Sequence, residues 1–433
     1  MHPLTANENP RLLFWARVRE FAVPPSMIET ATARRELGDW AGACAAAHVD
    51  VDLNLRAVGR AHGDSVAAQV RADLRHLAPD LLRWHFPRIG PDGVLRPGLT
   101  VSLARYGPAA EGERAIHLVA RTPPAWADAG QRISLALWAP SRGDPGAGLH
   151  PHPRPARRYR LDLHRHLWDV RRAGELRERA GRWPLDFARD WLPPGVGACA
   201  VDRWQAEAEL LLRDEGREGD VVAVRLSARH KLMLNLGTPR EMAFDRAAPV
   251  LPEAATWVLP DLELLHAGLI DADRLHPLVA SALRPGHRPS RNPCAVRNSR
   301  LVECRGATHR LGVVNGVLVA LDHDAGEVRR EELLGALGGT ELPCLRAIDE
   351  AHRHPENLVE VRARLDHGDT AGALAAVEAL LGPDVLLRDG ALRDELETAV
   401  RRQVAHGLYR AGLAGYRPPS SKQDRRRRRA TLR

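Results

Sequence analysis

Lysine is almost missing from this chain. Of 63 cationic side chains, only Lys231 and Lys422 are lysines. Together with abundant Ala, Gly and Pro, that is the residue usage of a GC-rich genome, so arginine richness alone does not indicate nucleic-acid binding. Cysteine is scarce as well. Cys44, Cys199, Cys294, Cys304 and Cys344 are far apart, odd in number and form no CxxC pair, which excludes a disulfide framework and fits a reducing compartment. No run approaches the ~18 apolar residues of a membrane helix. The segment "MHPLTANENPRLLFWARVREF" has no apolar core of signal-peptide length. The expectation is a cytoplasmic protein with no membrane contact.

The signatures of common chemistries are missing too. There is no GxxxxGK[ST] or GxGxxG to cradle phosphates, and no GxSxG nucleophile elbow. "DVDLN" (50–54) opens like a calcium loop, but Leu55 stands where glycine is required and Ala61 where glutamate closes the site. Lys231 is the one lysine of the body and sits at an expected strand end, an ordinary place for it. Cys304 near His309 has no visible activating group. "LDHD" (321–324) and "LDHGD" (365–369) set a His among carboxylates, without the further ligands of a metal phosphohydrolase; a surface turn and a helix cap are expected there. His352 and His354, two apart on an expected helix, point away from each other.

What is present is organisation. The formal net charge is +8 over 433 residues, and it is localised. Residues 418–433 carry net +6, through Lys422, Arg425, Arg426, Arg427, Arg428, Arg429 and Arg433 against Asp424, so the body is near neutrality. Within the body, residues 142–182 hold eleven Arg against five acids. Two H-x-H pairs lie inside that interval, His150/His152 and His164/His166. If 158–168 is a strand, His164 and His166 share one face, a geometry that can hold Zn or Cu. Arg157, Arg158 and Arg160 would repel a cation, so a local anion or nucleic-acid contact ranks above a metal there, and a solvated surface ranks above both.

Periodicity gives an α+β protein. Residues 1–90 read as a helical unit, with Asp39 placed to cap and prolines opening the second helix. Residues 91–284 read as a central antiparallel α+β domain with strands at 99–106, 114–121, 132–139 and 158–168, a helix at 204–215 and one or two strands in 220–236. "RPGHRPSRNP" (284–293) is the expected linker. Residues 294–417 read as a β-meander, turned by Asn315-Gly316, followed by helices. Residues 418–433 read as a disordered basic tail. All ten Trp and all five Phe precede residue 258, which sets the two parts of the body apart.

One short repeat stands out: "GDWAGACAA" (38–46) and "GDTAGALAA" (368–376). In each, an Arg-rich helix stops at Gly, Asp caps, and an Ala-rich helix begins, the chemistry of an αα-hairpin. The distance between copies excludes a tandem solenoid, and convergence on one local solution is favoured over duplication. The stretches "PPSMIETATARRELGDWAGACAAAHVDVD", "WVLPDLELLHAGLIDADRLHPLVASAL" and "LPCLRAIDEAHRHPENLVEVRARLDHGDTAGALAAVEALLG" resemble a family of soluble proteins from high-GC bacteria that has no assigned activity. The resemblance implies an accessory part of a system built around an AAA+ ATPase and a von Willebrand A domain protein. It brings no catalytic residues and no cofactor.

A non-enzymatic interaction or adaptor role, with a protein partner, ranks first. A nucleic-acid-associated role through 142–182 and the arginine tail ranks second, and an enzyme of unrecognised type third.

Overall fold

The computed structural model describes residues 10–107, 115–139, 150–181, 198–217, 219–227, 230–236, 238–240, 248–287, 300–304, 307–314, 317–320, 356–381 and 391–413, with a few single positions between 323 and 345. The chain divides into two units. One is residues 1–287 together with 402–433; the other is 288–401.

The first unit opens with α1 (Pro10–Phe21), α2 (Pro25–Glu36) and α3 (Trp40–Ala46), then β1 (Val49–Val51), α4 (Leu55–His62), α5 (Asp64–His76) and α6 (Pro79–His85). The helix starts follow their chemistry. Pro25 and Pro79 sit in first turns, where no N–H is needed. Asn54 accepts from the Arg56 and Ala57 amides at the head of α4. Asp64 is a first-turn residue, and Gly63 holds the cap position. The short pair β2 (Arg88–Ile89) and β3 (Val94–Leu95) precedes a mixed sheet of β4 (Thr100–Tyr106), β5 (Ile116–Arg121) and β6 (Ile133–Trp138), joined by β1 in the order β1-β6-β5-β4. The three later strands are antiparallel, and β1 runs parallel to β6 with Val49 opposite Ile133.

The strand expected at 158–168 does not form. Those residues make turns and a single 3-10 turn at Arg165–Leu167. A strand with one core face buries alternate side chains, whereas His166, Leu167, Trp168 and Asp169 are buried in succession. Trp168 Nε1–H bonds back to the Leu161 carbonyl at 3.0 Å, closing the segment on itself. The chain continues through α7 (Leu176–Arg179), α8 (Val201–Asp214), the antiparallel meander β7 (Val221–Arg225), β8 (Lys231–Asn235) and β9 (Thr238–Arg240), then α9 (Glu253–Thr256), α10 (Pro260–His266) and α11 (Pro277–Leu283).

The boundary expected near residue 90 is absent from the core. Leu74, Trp84 and Phe86 pack in one cluster with Leu103, Leu118 and Ile133 from the sheet and with Leu264 and Val279 from α10 and α11. Trp84, Phe86 and Leu103 are wholly enclosed, and at ~25 cal/mol per Å² such side chains account for much of the unit's cohesion. A smaller core lies beneath β7 and β8, where Trp204, Leu211 and Leu212 of α8 meet Val222, Val224 and Leu234.

The second unit contains the antiparallel meander β10 (Arg300–Cys304), β11 (Ala307–Val314) and β12 (Val317–Ala320), the hairpin of α12 (Glu356–His367) and α13 (Thr370–Leu381), and the start of α14 (Ala391–Arg410). The division at 287/288 falls inside the expected linker. The far end of α14 differs from expectation, because residues from 402 onward belong to the first unit. His406 Nδ1–H donates to the Ala127 carbonyl at 2.9 Å, Tyr409 meets Trp126 edge-on, and Arg410 Nη2 bonds Asp52 Oδ1 at 2.5 Å. These contacts tie α14 down where sequence periodicity shows only one more helix.

The two repeat copies adopt the same local structure. Gly38 and Gly368 have φ of +76° and +85°, the left-handed conformation that ends a helix and that side chains resist. Asp39 accepts from the Gly42 amide at 2.8 Å, and Asp369 from the Gly372 amide at 2.9 Å. A Cβ on Gly42 or Gly372 would collide with the capping carboxylate. Ala43 and Ala373 are fully enclosed where the helices meet. Arg34 bonds Asp39 at 3.3 Å and Arg364 bonds Asp369 at 2.9 Å. Four of the seven shared residues therefore have a local physical reason to be shared.

Candidate functional site

Local sequence brings an unusual set of side chains to one place in the first unit. On α1, apolar spacing buries Leu12 and Val18, and Arg19 follows on the same side, 5% exposed. The end of α6 runs directly into His85, Phe86, Pro87 and Arg88. Facing them are the turn at 158–161, His166, Arg179 and the stretch 253–260. Between these segments lies a cavity of about 350 Å³, at the small end of the size of small-molecule sites.

Six arginines line the cavity: Arg11, Arg19, Arg88, Arg158, Arg160 and Arg179. Five meet a carboxylate. Arg11 holds Glu263 at 2.6 Å. Arg19 forks onto Asp261, with Nε at 2.9 Å and Nη2 at 2.7 Å, and is flanked by the Trp84 and Trp15 rings. Arg158 pairs with Glu253. Arg160 reaches Asp162 at 2.7 Å, Asp214 at 2.6 Å and Glu215 at 3.4 Å. Arg179 forks onto Glu207 at 2.9 and 2.6 Å.

Arg88 is different. Its terminal nitrogens donate to the Gly93 carbonyl at 3.0 Å and the Arg83 carbonyl at 2.8 Å. It forms no ion pair with any described residue, and its Nε is buried without a partner. Burial, then the nearby Arg83 and Arg19 guanidinium groups, push its pKa well below the usual arginine value. Beside it, His85 Nε2 is also buried and unpartnered, and burial drives the His85 pKa down to about 3. An enclosed charge without a counter-ion is costly, and among the described residues no acid pairs with Arg88.

The rest of the lining sets the character of a ligand. Trp15, Phe86, Tyr159 and Trp257 are the aromatic walls, with Leu161, Leu176 and Val258 among the aliphatic ones. Glu253 is the only carboxylate among the described lining residues. Burial, then the Glu253 charge, raises the Tyr159 pKa to about 12, keeping that phenol neutral. His166 Nδ1 accepts from Arg179 at 3.2 Å, and burial followed by His164 and Arg179 keeps its ring neutral. Glu207 is held near a pKa of about 2: burial alone would raise it, but the bonds from His164 and Arg179 outweigh burial.

The residues singled out from sequence fall into separate environments. Arg158 and Arg160 do line the cavity, but both are paired, and Arg160 is only 11% exposed rather than part of a solvated surface. Its side chain is drawn in because three acids converge on it. Arg157 is exposed and outside the lining. His150 is buried, its Nε2–H donating to the Thr122 carbonyl at 2.9 Å while Nδ1 accepts from the exposed His152. His164 and His166 lie together with ring centroids 5.7 Å apart, and His164 Nε2 stands 3.2 Å from Glu207. Among the described residues no group of three or more His, Cys, Asp or Glu side chains is arranged to hold a metal ion. Asp366 and His367, expected at a surface turn, are buried. Arg425, Arg426, Arg427, Arg428 and Arg429, like His352, His354 and the Asn315-Gly316 turn, lie outside the described residues.

Sequence reasoning missed Arg19, His85, Arg88 and Asp261. One signal was present: "RWHFPR" (83–88) concentrates cations and aromatics in a chain with only 4% aromatic residues. No protein-family model, characterised protein or solved structure matches this chain. Among the described residues no helix is long and apolar enough to cross a membrane.

Proposed function

We propose that the protein is a non-enzymatic binding protein whose working site is the arginine-lined cavity, and that the site takes an anionic group. The observation that carries this reading is Arg88, a half-buried guanidinium at the cavity wall whose Nε is enclosed, with carbonyl partners and no carboxylate among the described residues. An anion seated there supplies the missing charge in a low-dielectric setting where charge-assisted bonds are strong. The remaining arginines are held by their own acids and shape the wall rather than attract a ligand. The reading keeps the interaction role expected from sequence and gives it a chemistry. A cytoplasmic location and a protein partner for the ligand-bound form belong to the same proposal. The location is supported by the sequence, whose five scattered cysteines form no CxxC pair.

Thermal unfolding at constant ionic strength tests it. A binding anion raises the midpoint, because a ligand at 100 times its Kd adds about 2.7 kcal/mol to stability. Organic carboxylates and phosphates should be compared with chloride, on the unaltered protein and on R88M. An upward shift that R88M removes is the expected result. No shift with any anion, or an equal shift in R88M, refutes an anion site at Arg88.

A further inference from the structure

We infer that the ligand is a small aromatic monocarboxylate, its single negative charge against Arg88 and its ring between the Trp15 and Trp257 sides of the cavity. This rests on the anion-site reading above and adds a ligand class to it.

Charge balance argues for one negative charge. Among the described lining residues, five guanidinium groups already have carboxylates, and one does not. His85 adds no second charge near neutrality, since burial holds its ring in the neutral form. A phosphate monoester carries nearly two charges at neutral pH. It would leave one of them buried without a counter-ion. A carboxylate leaves no such excess.

The walls argue for a flat apolar body. Four aromatic rings line a volume of about 350 Å³, which suits an acid of one or two rings. The Trp15 ring is held by its contact with Arg19, whose guanidinium carbon is 5.2 Å from the ring centroid. Arg19 is itself fixed by Asp261, so this wall is rigid before a ligand arrives. A pre-organised wall spares the ordering cost that a mobile one incurs on binding. Two carbonyls anchor the Arg88 terminal nitrogens, so the guanidinium is already in place and need not be recruited from solvent.

Isothermal titration of the full chain tests this. The probes are 2-naphthoate, 2-naphthamide, phenyl phosphate and inorganic phosphate, against the unaltered protein, R88M and R88K. The expected result is one-to-one binding of 2-naphthoate, at least 30-fold weaker binding of the amide, and weaker binding of both phosphates. R88M should lose at least 30-fold for 2-naphthoate, and R88K, which keeps the charge without the planar fork, should fall between. The naphthoate–amide comparison and R88K keep the test decisive if R88M does not fold. Phenyl phosphate binding more tightly than 2-naphthoate, with both lost in R88M, overturns the monocarboxylate class and leaves the anion site standing. Binding of the amide equal to that of the acid, or no binding by any probe, overturns both.

Discussion

Replacing Asp261 with asparagine keeps the shape of a fully enclosed side chain and removes its charge. Asp261 accepts three bonds, from Arg19 Nε at 2.9 Å, Arg19 Nη2 at 2.7 Å and Trp84 Nε1 at 3.0 Å. The two charged side chains are 2% and 0% exposed. In D261N the Arg19 guanidinium becomes a second uncompensated charge in the same wall as Arg88, and one amide N–H group faces its donors. Breaking a buried pair by removing one partner costs about 3–5 kcal/mol. Replacing both partners with apolar residues, as in R19M/D261L, removes the orphaned charge and should recover more than half of that loss. The assay is urea unfolding followed by tryptophan fluorescence, which reports the first unit alone because all ten Trp precede residue 258. A loss below about 1 kcal/mol in D261N would put the pair on the surface class of ion pairs and refute the reasoning. A double variant as unstable as the sum of the singles would refute it equally.

Acid should weaken the fold earlier than carboxylates alone explain. Burial lowers the pKa of His85 to about 3 and of His117 to about 4, outweighing the nearby Asp261 and Asp162 carboxylates, and also lowers those of His150, His166 and His406. With unfolded values near ~6.5, the unfolded chain takes up protons first, so stability falls as pH drops below about 6.5, approaching about 1.4 kcal/mol per pH unit for each of His85 and His117; a urea midpoint unchanged between pH 7 and pH 5 would contradict this. The depressed carboxylates Asp169, Glu207 and Asp261 add a further loss only below about pH 4. Gly42→Ala and Gly372→Ala should each destabilise their helix pair by about 1–2 kcal/mol, despite alanine's higher helix propensity, because the Cβ displaces the Asp cap; a neutral or stabilising effect in urea unfolding followed by far-ultraviolet circular dichroism, which reads both units, would show that the cap is dispensable. R160E should cost about 3–5 kcal/mol by packing four acids together, whereas exposed Arg157→Glu should stay within about 0.5 kcal/mol; similar losses for the two would place Arg160 on the surface after all. Deleting residues 418–433 should remove most of the salt dependence of any oligonucleotide binding, since that segment carries net +6 and the body is near neutrality; equal binding by both forms in gel shifts across salt concentrations would move that contact to the body.

Sequence periodicity found the α+β class because its strands are short apolar or alternating runs between turn residues, and several helices open on a capping Asp or Asn or on proline. "GDxAGA" announces the same turn twice through residues that act within six positions of one another. The segment at 158–168 misled because a succession of buried side chains, His166 to Asp169, has no period to read. The boundary expected near residue 90 misled for a related reason. Trp84 and Phe86 close the helical stretch in sequence, yet they belong to the same core as the sheet. The site was the least legible feature. Arg19 meets Asp261 across 242 positions, and Arg179 meets Glu207 across 28. Whether an arginine is paired is a long-range property. The excess at Arg88 emerges only after every other lining arginine has been matched to its acid.

The most direct test of an anion site at Arg88 is a crystal structure of the protein with 4-iodobenzoate, located by the anomalous signal of iodine. One strong peak is expected inside the cavity, on the Trp15 and Trp257 side, with the carboxylate at hydrogen-bond distance from the Arg88 guanidinium. An empty cavity, or iodobenzoate seated with its carboxylate away from Arg88, would contradict it.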